Sequence, residues 1–165
     1  MALLKVMIGN MELTYLGNKE LLSLHKTAFF CSRTVGSNAV MRCYDWATSI
    51  DLSDTVIVSG FQSKIEKDVL HLLQKRHAKI ILVLARSIYK TLPQELQTSL
   101  DDNRLLIAST AHHATRTSKS AAEHRNEYIA QTCDELVFGY IGEGSILQAV
   151  FQKFIEKSNL LYNDM

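Results

Sequence analysis

Residues 79–84, Lys-Ile-Ile-Leu-Val-Leu, form an almost unbroken apolar run of strand length. It offers water no polar side, so a strand built from it must be covered on both faces, as in the middle of a parallel sheet. The segments around it alternate in kind. Residues 27–31, 55–58, 104–108 and 135–138 read as further strands rich in β-branched and other apolar side chains. Between and after the strands lie helical stretches at 37–50, 63–76, 94–100, 119–132 and 145–157. Ile65, Val69, Leu72 and Leu73 share one helical face in the second, and Ile146, Leu147, Val150, Phe151 and Phe154 do so in the last. Such alternation builds right-handed βαβ units. The expectation is a three-layer α/β fold: a mostly parallel sheet of about five strands, with helices on both faces.

The region before residue 27 has weak periodicity. Residues 12–16 alternate like a short strand, and Gly17-Asn18 stops it and caps a brief helix over 19–24. With one proline and no low-complexity stretch or repeat, the expectation is a single domain over 1–165, with 1–26 packing on it as an extension. A net charge of +1 argues against a generally basic coat for nucleic acid but leaves room for a local patch. Cys31, Cys43 and Cys133 are an odd number without a Cys-x-x-Cys pair, so they read as reduced thiols rather than a disulfide framework. No apolar run approaches the ~18 residues of a membrane span, and the start is too short for a signal peptide. A cytoplasmic protein that meets no membrane is expected.

In a parallel sheet, ligands sit at the carboxyl ends of the strands. That points to Ser32-Arg33, Ser59-Gly60, Ala85-Arg86-Ser87, Ser109-Thr110 and Gly142-Glu143-Gly144-Ser145, each just after a strand and each small, polar or basic. Helix-start N–H groups beside a serine hydroxyl and a guanidinium suit phosphate. The plainer alternative is that the serines cap helices, the glycines turn the chain, and Arg33 is a solvated charge. Arg125 near the start of a helix gains nothing from the helix dipole, so it calls for a partner, whether a ligand or a carboxylate such as Glu123 or Glu127.

Taken together, several segments resemble the DNA-processing protein A (DprA/Smf) family, whose core is a Rossmann-like domain. Residues 15–22, Tyr-Leu-Gly-Asn-Lys-Glu-Leu-Leu, look like its entry segment. Cys31-Ser32-Arg33 stands where the family has Gly-Ser-Arg. Residues 59–66 are similar to its Ser-Gly-Leu-Ala-x-Gly-Ile-Asp, and residues 125–130 to its Arg-Asn-Arg-Ile-Ile-Ala. Gly144-Ser145 matches its late Gly-Ser. The resemblance covers roughly residues 12–155 and implies a domain that binds single-stranded DNA or a nucleotide. The strand-end turns and the resemblance together give the expected ligand-binding set: Ser32, Arg33, Ser59, Gly60, Lys64, Arg86, Arg125, Asn126, Gly144 and Ser145. Self-association, a recombinase partner and a place in DNA uptake or recombination are implied by resemblance alone. Cys31 and Lys64 replace family glycines, Glu66 replaces an aspartate, the histidine after it is absent, and no winged helix is expected after residue 165.

The related Lonely-guy phosphoribohydrolases provide the enzyme alternative. Residues 142–148 lie over the latter part of their Pro-Gly-Gly-x-Gly-Thr-x-x-Glu, but Gln148 stands at the glutamate's place. An amide cannot act as a base, so hydrolysis would need Glu123 or Glu143 instead. No catalytic residue is assigned, and a nucleotide-sensing domain remains a third reading. His112-His113 suggests a metal, yet no cysteine or carboxylate stands at ligand spacing, so neither a metal nor a cofactor is expected. Arg116, Lys119 and Arg125, interleaved with His112, His113 and His124, form a locally basic stretch that either tracks a nucleic-acid backbone or is a mobile solvated loop. Phe61, Tyr89 and Tyr140 sit where they would stack on bases or cover the core edge, and Trp46 reads as core. The strip Leu147, Phe151 and Phe154 is a candidate self-association surface whose simpler use is packing on the sheet.

Overall fold

The structure, a computed structural model, describes residues 3–8 and 11–163. Its frame is one sheet in the order β1-β2-β6-β5-β4-β3-β7-β8. The strands are β1 (Leu4–Ile8), β2 (Met11–Gly17), β3 (His25–Phe30), β4 (Thr55–Ser59), β5 (Ile80–Leu84), β6 (Leu105–Ser109), β7 (Glu135–Phe138) and β8 (Ser158–Leu160). From β6 to β8 every neighbouring pair is parallel. The helices are α1 (Ser37–Ser49), α2 (Lys64–Lys75), α3 (Gln94–Asp101), α4 (Lys119–Thr132) and α5 (Leu147–Lys153).

Period-two alternation in the strands divides their side chains between two cores. Phe29, Ile57, Ile80, Leu82 and Ile107 point to one, closed by Cys43 and Ala47 of α1, Val69 and Leu73 of α2, and Leu96 and Leu100 of α3. Ala28, Phe30, Val58, Ile81, Val83 and Leu106 point to the other, closed by Ile129 and Ala130 of α4 and Leu147 and Val150 of α5. Helices on both faces give the expected three layers. Trp46 is half-buried on the first core, stacked on Phe29 with ring centroids 5.0 Å apart. Phe151 and Phe154 pack against the second core, so the apolar strip of α5 is turned inward.

The sheet is wider than the expected five strands. The region before residue 27 does not lie on the sheet as an appendage but joins it: β2 pairs antiparallel with β6, and β1 with β2. Leu13 and Tyr15 on β2 are buried, which rewards the pairing. Gly17 ends β2 at φ +114°, where a Cβ would stand 2.4 Å from the Leu105 carbonyl oxygen. Asn18 then caps a 3-10 turn at Lys19–Ser23, its side chain accepting from the Glu20 N–H at 3.1 Å. At the other end, the expected helix over 145–157 is shorter. It stops at Lys153, passes through a 3-10 turn at Ile155–Lys157, and yields β8 on the edge of β7.

The strand order reverses between β3 and β7, because the chain runs outward from β3 through β4, β5 and β6 and then returns to β7 on its other side. The loops after these two strands must therefore part at their carboxyl ends. Phe30 and Phe138 pair across the strands with rings stacked 5.0 Å apart, and Phe151 of α5 meets Phe138 edge-on at 5.4 Å. This stack holds β3, β7 and α5 in fixed relation just beneath the opening.

Candidate nucleic-acid interface

A cavity of about 600 Å³ lies at this reversal point. It is lined by the loop after β3, the start of α2, the start and inner face of α4, and the 142–147 turn after β7. On the β3–β7 side the backbone is wired by two hydroxyls. Ser32 N–H donates to the Tyr140 carbonyl at 3.0 Å. Its Oγ accepts from the Gly142 N–H at 2.8 Å and donates to Ser145 Oγ at 3.1 Å. Ser145 Oγ also accepts from the Leu147 N–H at 3.2 Å. Ser32 is thus consumed in holding the turn, whereas the Ser145 hydroxyl proton has no acceptor among the described residues. Gly144 makes the turn possible with φ +74°, the left-handed region that glycine enters without a steric penalty.

The opposite wall is built around two buried charges. Glu66, 8% exposed, caps α2 in a capping box with Ser63. Its carboxylate accepts from the backbone N–H groups of Gln62 at 2.8 Å, Ser63 at 3.0 Å and Cys31 at 3.0 Å. It therefore ties the β3 loop to the β4–α2 turn. Arg125, in the second turn of α4 and 7% exposed, donates through one terminal nitrogen to Gln62 Oε1 at 2.6 Å and through Nε to Asn126 Oδ1 at 3.2 Å. Burial lowers the pKa of this guanidinium and the nearby Glu66 charge opposes that, so it stays protonated. The partner that Arg125 requires is Gln62, together with the field of Glu66. Glu127 instead pairs with Lys153, and Glu123 is exposed outside the cavity lining. Gly60 lies against the guanidinium, where a Cβ would sit 2.7 Å from its central carbon.

At the mouth, Arg33 and Lys119 are exposed cations with no hydrogen bond or ion pair to another described residue, and Glu143 stands on the rim. Ser118 caps α4, accepting from Ala121 N–H at 3.1 Å, so the positive end of that helix faces the cavity. Three cations thus meet two carboxylates, one of which is already committed to three backbone donors. The arrangement suits an oxyanion.

Of the ten residues singled out in the sequence, Ser32, Arg33, Arg125, Asn126, Gly144 and Ser145 line the cavity. Gly60 borders it through its contact with Arg125. Ser59 is fully buried and accepts from the Phe61 N–H at 3.0 Å, supporting the turn from behind. Lys64 is exposed and paired with Asp68 at 3.1 Å, outside the lining. Arg86 donates to the Ser87 carbonyl at 3.1 Å and lies 4.7 Å from the Tyr89 ring centre, also outside it. Gln148 is exposed on α5 and does not line the cavity. Phe61 is buried in the core and Tyr140 is half-buried against it.

Cys31 packs under the cavity with Cys43. A hydrogen bond to Cys43, together with burial, pushes its thiol up. Gln62, Glu66, Thr117 and Ser118 were not singled out as ligand-binding residues. Two signals pointed to Glu66: the Ser63-x-x-Glu66 spacing and its place at the aspartate of the family motif.

Among the described residues, no helix is long and apolar enough to cross a membrane. No curated protein matches the sequence closely enough to count as a relative. Solved structures that share the fold include two DNA processing proteins. DNA processing protein A from Helicobacter pylori, described by its single-stranded DNA binding mode, superposes with a TM-score of 0.76 at 16% identity, over 96% of this chain and 79% of that one. DNA processing protein A from Streptococcus pneumoniae gives 0.73 at 20% identity over 90% of this chain. The chain spans about half the length of the pneumococcal protein, 53%. Residues 4–148 match the family described as DNA recombination-mediator protein A, and with nearly the whole sheet inside that match, the chain belongs to that family.

Proposed function

We propose that this domain binds single-stranded DNA non-enzymatically, with backbone phosphates seated in the cleft between the β3 and β7 loops. The observation that carries the reading is the pairing of two unpartnered cations, Arg33 and Lys119, with the Ser145 hydroxyl proton, which has no acceptor among the described residues, at the strand-order reversal. With the Gly142 and Ser145 N–H groups already used within the turn, the Glu143 and Gly144 N–H groups and those of Lys119 and Ser120 at the start of α4 supply donors that cost no reorganisation, and the exposed cations close over the phosphate. Arg125 positions the Gln62 side of the wall and contributes charge from below. The Helicobacter neighbour, described as binding single-stranded DNA, lends the reading family support. Self-association, delivery of the strand to a recombinase in DNA uptake or recombination, and a cytoplasmic setting belong to the same proposal.

A length series of fluorescent oligo-dT against thymidine mononucleotide tests it. Affinity that climbs with length to a plateau of several nucleotides supports strand binding. Equal affinity for the mononucleotide would move the function to nucleotide sensing. Release of free base from a nucleoside monophosphate, with Glu143 as the rim carboxylate, would make the domain a hydrolase.

A further inference from the structure

The turn after β6 holds a second cluster that is remote in sequence from its third member. Thr14 of β2 faces Ser109 of β6 in the antiparallel register. Continuing that register carries Glu12 to the turn that begins at Thr110. There Glu12, His112 and His113 bring one carboxylate oxygen and two imidazole nitrogens within 4.8 Å of one another. One hundred residues separate Glu12 from His112, so sequence spacing hides the set.

We propose that Glu12, His112 and His113 form a binding site for a divalent transition-metal ion, zinc being the best match, with one position left open to solvent. Four observations carry this. First, the two rings converge, with centroids 3.7 Å apart and planes tilted 47°. Second, the His112 side chain is 14% exposed and its Nε2 is buried, 3.4 Å from Glu12 Oε2, yet no hydrogen bond satisfies it. A buried ring nitrogen without a hydrogen bond is costly, and a metal lone-pair bond would remove that cost.

Third, the turn is held in place. Ala111 N–H donates to Ser109 Oγ at 3.2 Å, Ala114 N–H to the Ala111 carbonyl at 2.9 Å, and Ser87 N–H to the Ala114 carbonyl at 2.6 Å. Fourth, the donor set fits the ion. Two imidazoles and a carboxylate suit zinc and its neighbours, whereas calcium and magnesium call for oxygen throughout. Tetrahedral zinc, with ligands at about 2.0–2.1 Å, needs donor atoms about 3.3 Å apart. Glu12 Oε2 and His112 Nε2 already stand 3.4 Å apart, and all three residues offer donor atoms within 4.8 Å of one another. The ion would clip β2 to the loop that continues into Thr117–Lys119 on the cavity wall. This site is independent of the DNA reading.

Titration of the tag-free protein with zinc chloride, followed by calorimetry, tests the proposal, with cobalt(II) absorption as a probe of geometry. The expected result is one zinc per chain and an intense tetrahedral cobalt spectrum. Glu12→Gln, His112→Ala and His113→Ala should each weaken binding by about 100-fold or more, since even an outer-shell partner of a metal site is worth about 10- to 100-fold. His113 is exposed, so its replacement leaves folding intact. Arg33→Ala should bind zinc as wild type does. No stoichiometric binding would overturn the proposal, as would loss in fewer than all three ligand variants or a weak octahedral cobalt spectrum.

Discussion

The turns after β3 and after β5 look alike in sequence and do opposite things. Ser32-Arg33 follows the first strand and Ala85-Arg86-Ser87 the second, and each places an arginine beside a serine just past a core strand. After β3 the guanidinium is exposed and has no partner among the described residues. After β5, Arg86 is folded onto Tyr89 and its own neighbour's carbonyl, while Ser109 Oγ donates to the Arg86 carbonyl at 2.6 Å and locks the backbone. The difference is topological. β5 lies between β4 and β6, so the adjacent loops crowd its end and saturate it. β3 stands where the order reverses, and the loops on either side diverge. A short motif therefore states what a turn contains, and the strand order decides whether its donors remain free.

The largest way to break this contrast is through Glu66, because it ties the β3 loop to the β4–α2 turn. Glu66→Ala removes the acceptor of three backbone N–H groups and the carboxylate whose field supports the buried Arg125 charge. Loss of one partner of a buried charge system typically costs about 3–5 kcal/mol. Chemical denaturation should read a loss of that order, with DNA binding falling alongside it.

A smaller effect is expected at Gly144. Gly144→Ala places a Cβ at φ +74°, where nothing crowds it but the backbone itself resists, so the cost is about 1–2 kcal/mol. Thermal unfolding should show it, and affinity for oligo-dT should fall as the turn is distorted.

Lys64 offers a control on the outer face of α2. Its i,i+4 pair with Asp68 is exposed, and Lys64→Ala should change stability by no more than about 0.5 kcal/mol and leave DNA binding alone. A drop in affinity there would extend the interface beyond the cleft.

A last, slight effect is set by pH away from the site. Asp134 accepts from the Lys26 N–H at 2.8 Å, and that bond, with help from His25, holds its pKa below the usual carboxylate range. A lowered folded-state pKa contributes stability above the unfolded value that is lost as pH falls. Asp134→Asn should flatten the acid side of a stability–pH curve and leave neutral-pH DNA binding unchanged.

Much of this molecule is legible in its sequence. Residues 119–132 and 135–138 emerge as α4 and β7 with those bounds, because a capped polar helix and a compact apolar run leave little freedom. The three layers followed from the alternation of strands and helices around the 79–84 run. The edge strands were harder. β8 is three residues, Ser-Asn-Leu, with no alternation to reveal it, and β1 draws its partner from β2 rather than from its own pattern.

In the site, Ser32, Arg33 and Ser145 were visible as turn residues, but their division of labour was not. Only the bond directions show that Ser32 is spent on the fold and Ser145 is not. Arg125 read as a cation near a helix start, whereas it is buried and shaped by Gln62 and Gly60 some sixty residues earlier. The basic stretch from His112 to Arg125, read either as a tracking surface or as a mobile loop, divides in two: its first part follows a turn hydrogen-bonded at Ala111 and Ala114, and from Lys119 onward it is α4.

The central claim is that free donors exist at the β3–β7 opening and not after β5. The most direct test is the affinity for oligo-dT at two salt concentrations, for wild type, Arg33→Ala with Lys119→Ala, and Arg86→Ala. Removing one cation that neutralises a phosphate of a single strand should reduce the salt slope by about 0.7. The account predicts salt-sensitive binding by wild type and by Arg86→Ala alike, with the double variant weaker by about tenfold or more and its slope shallower by about 1.4. Equal losses in Arg86→Ala and the double variant, or no binding at low salt, would contradict it.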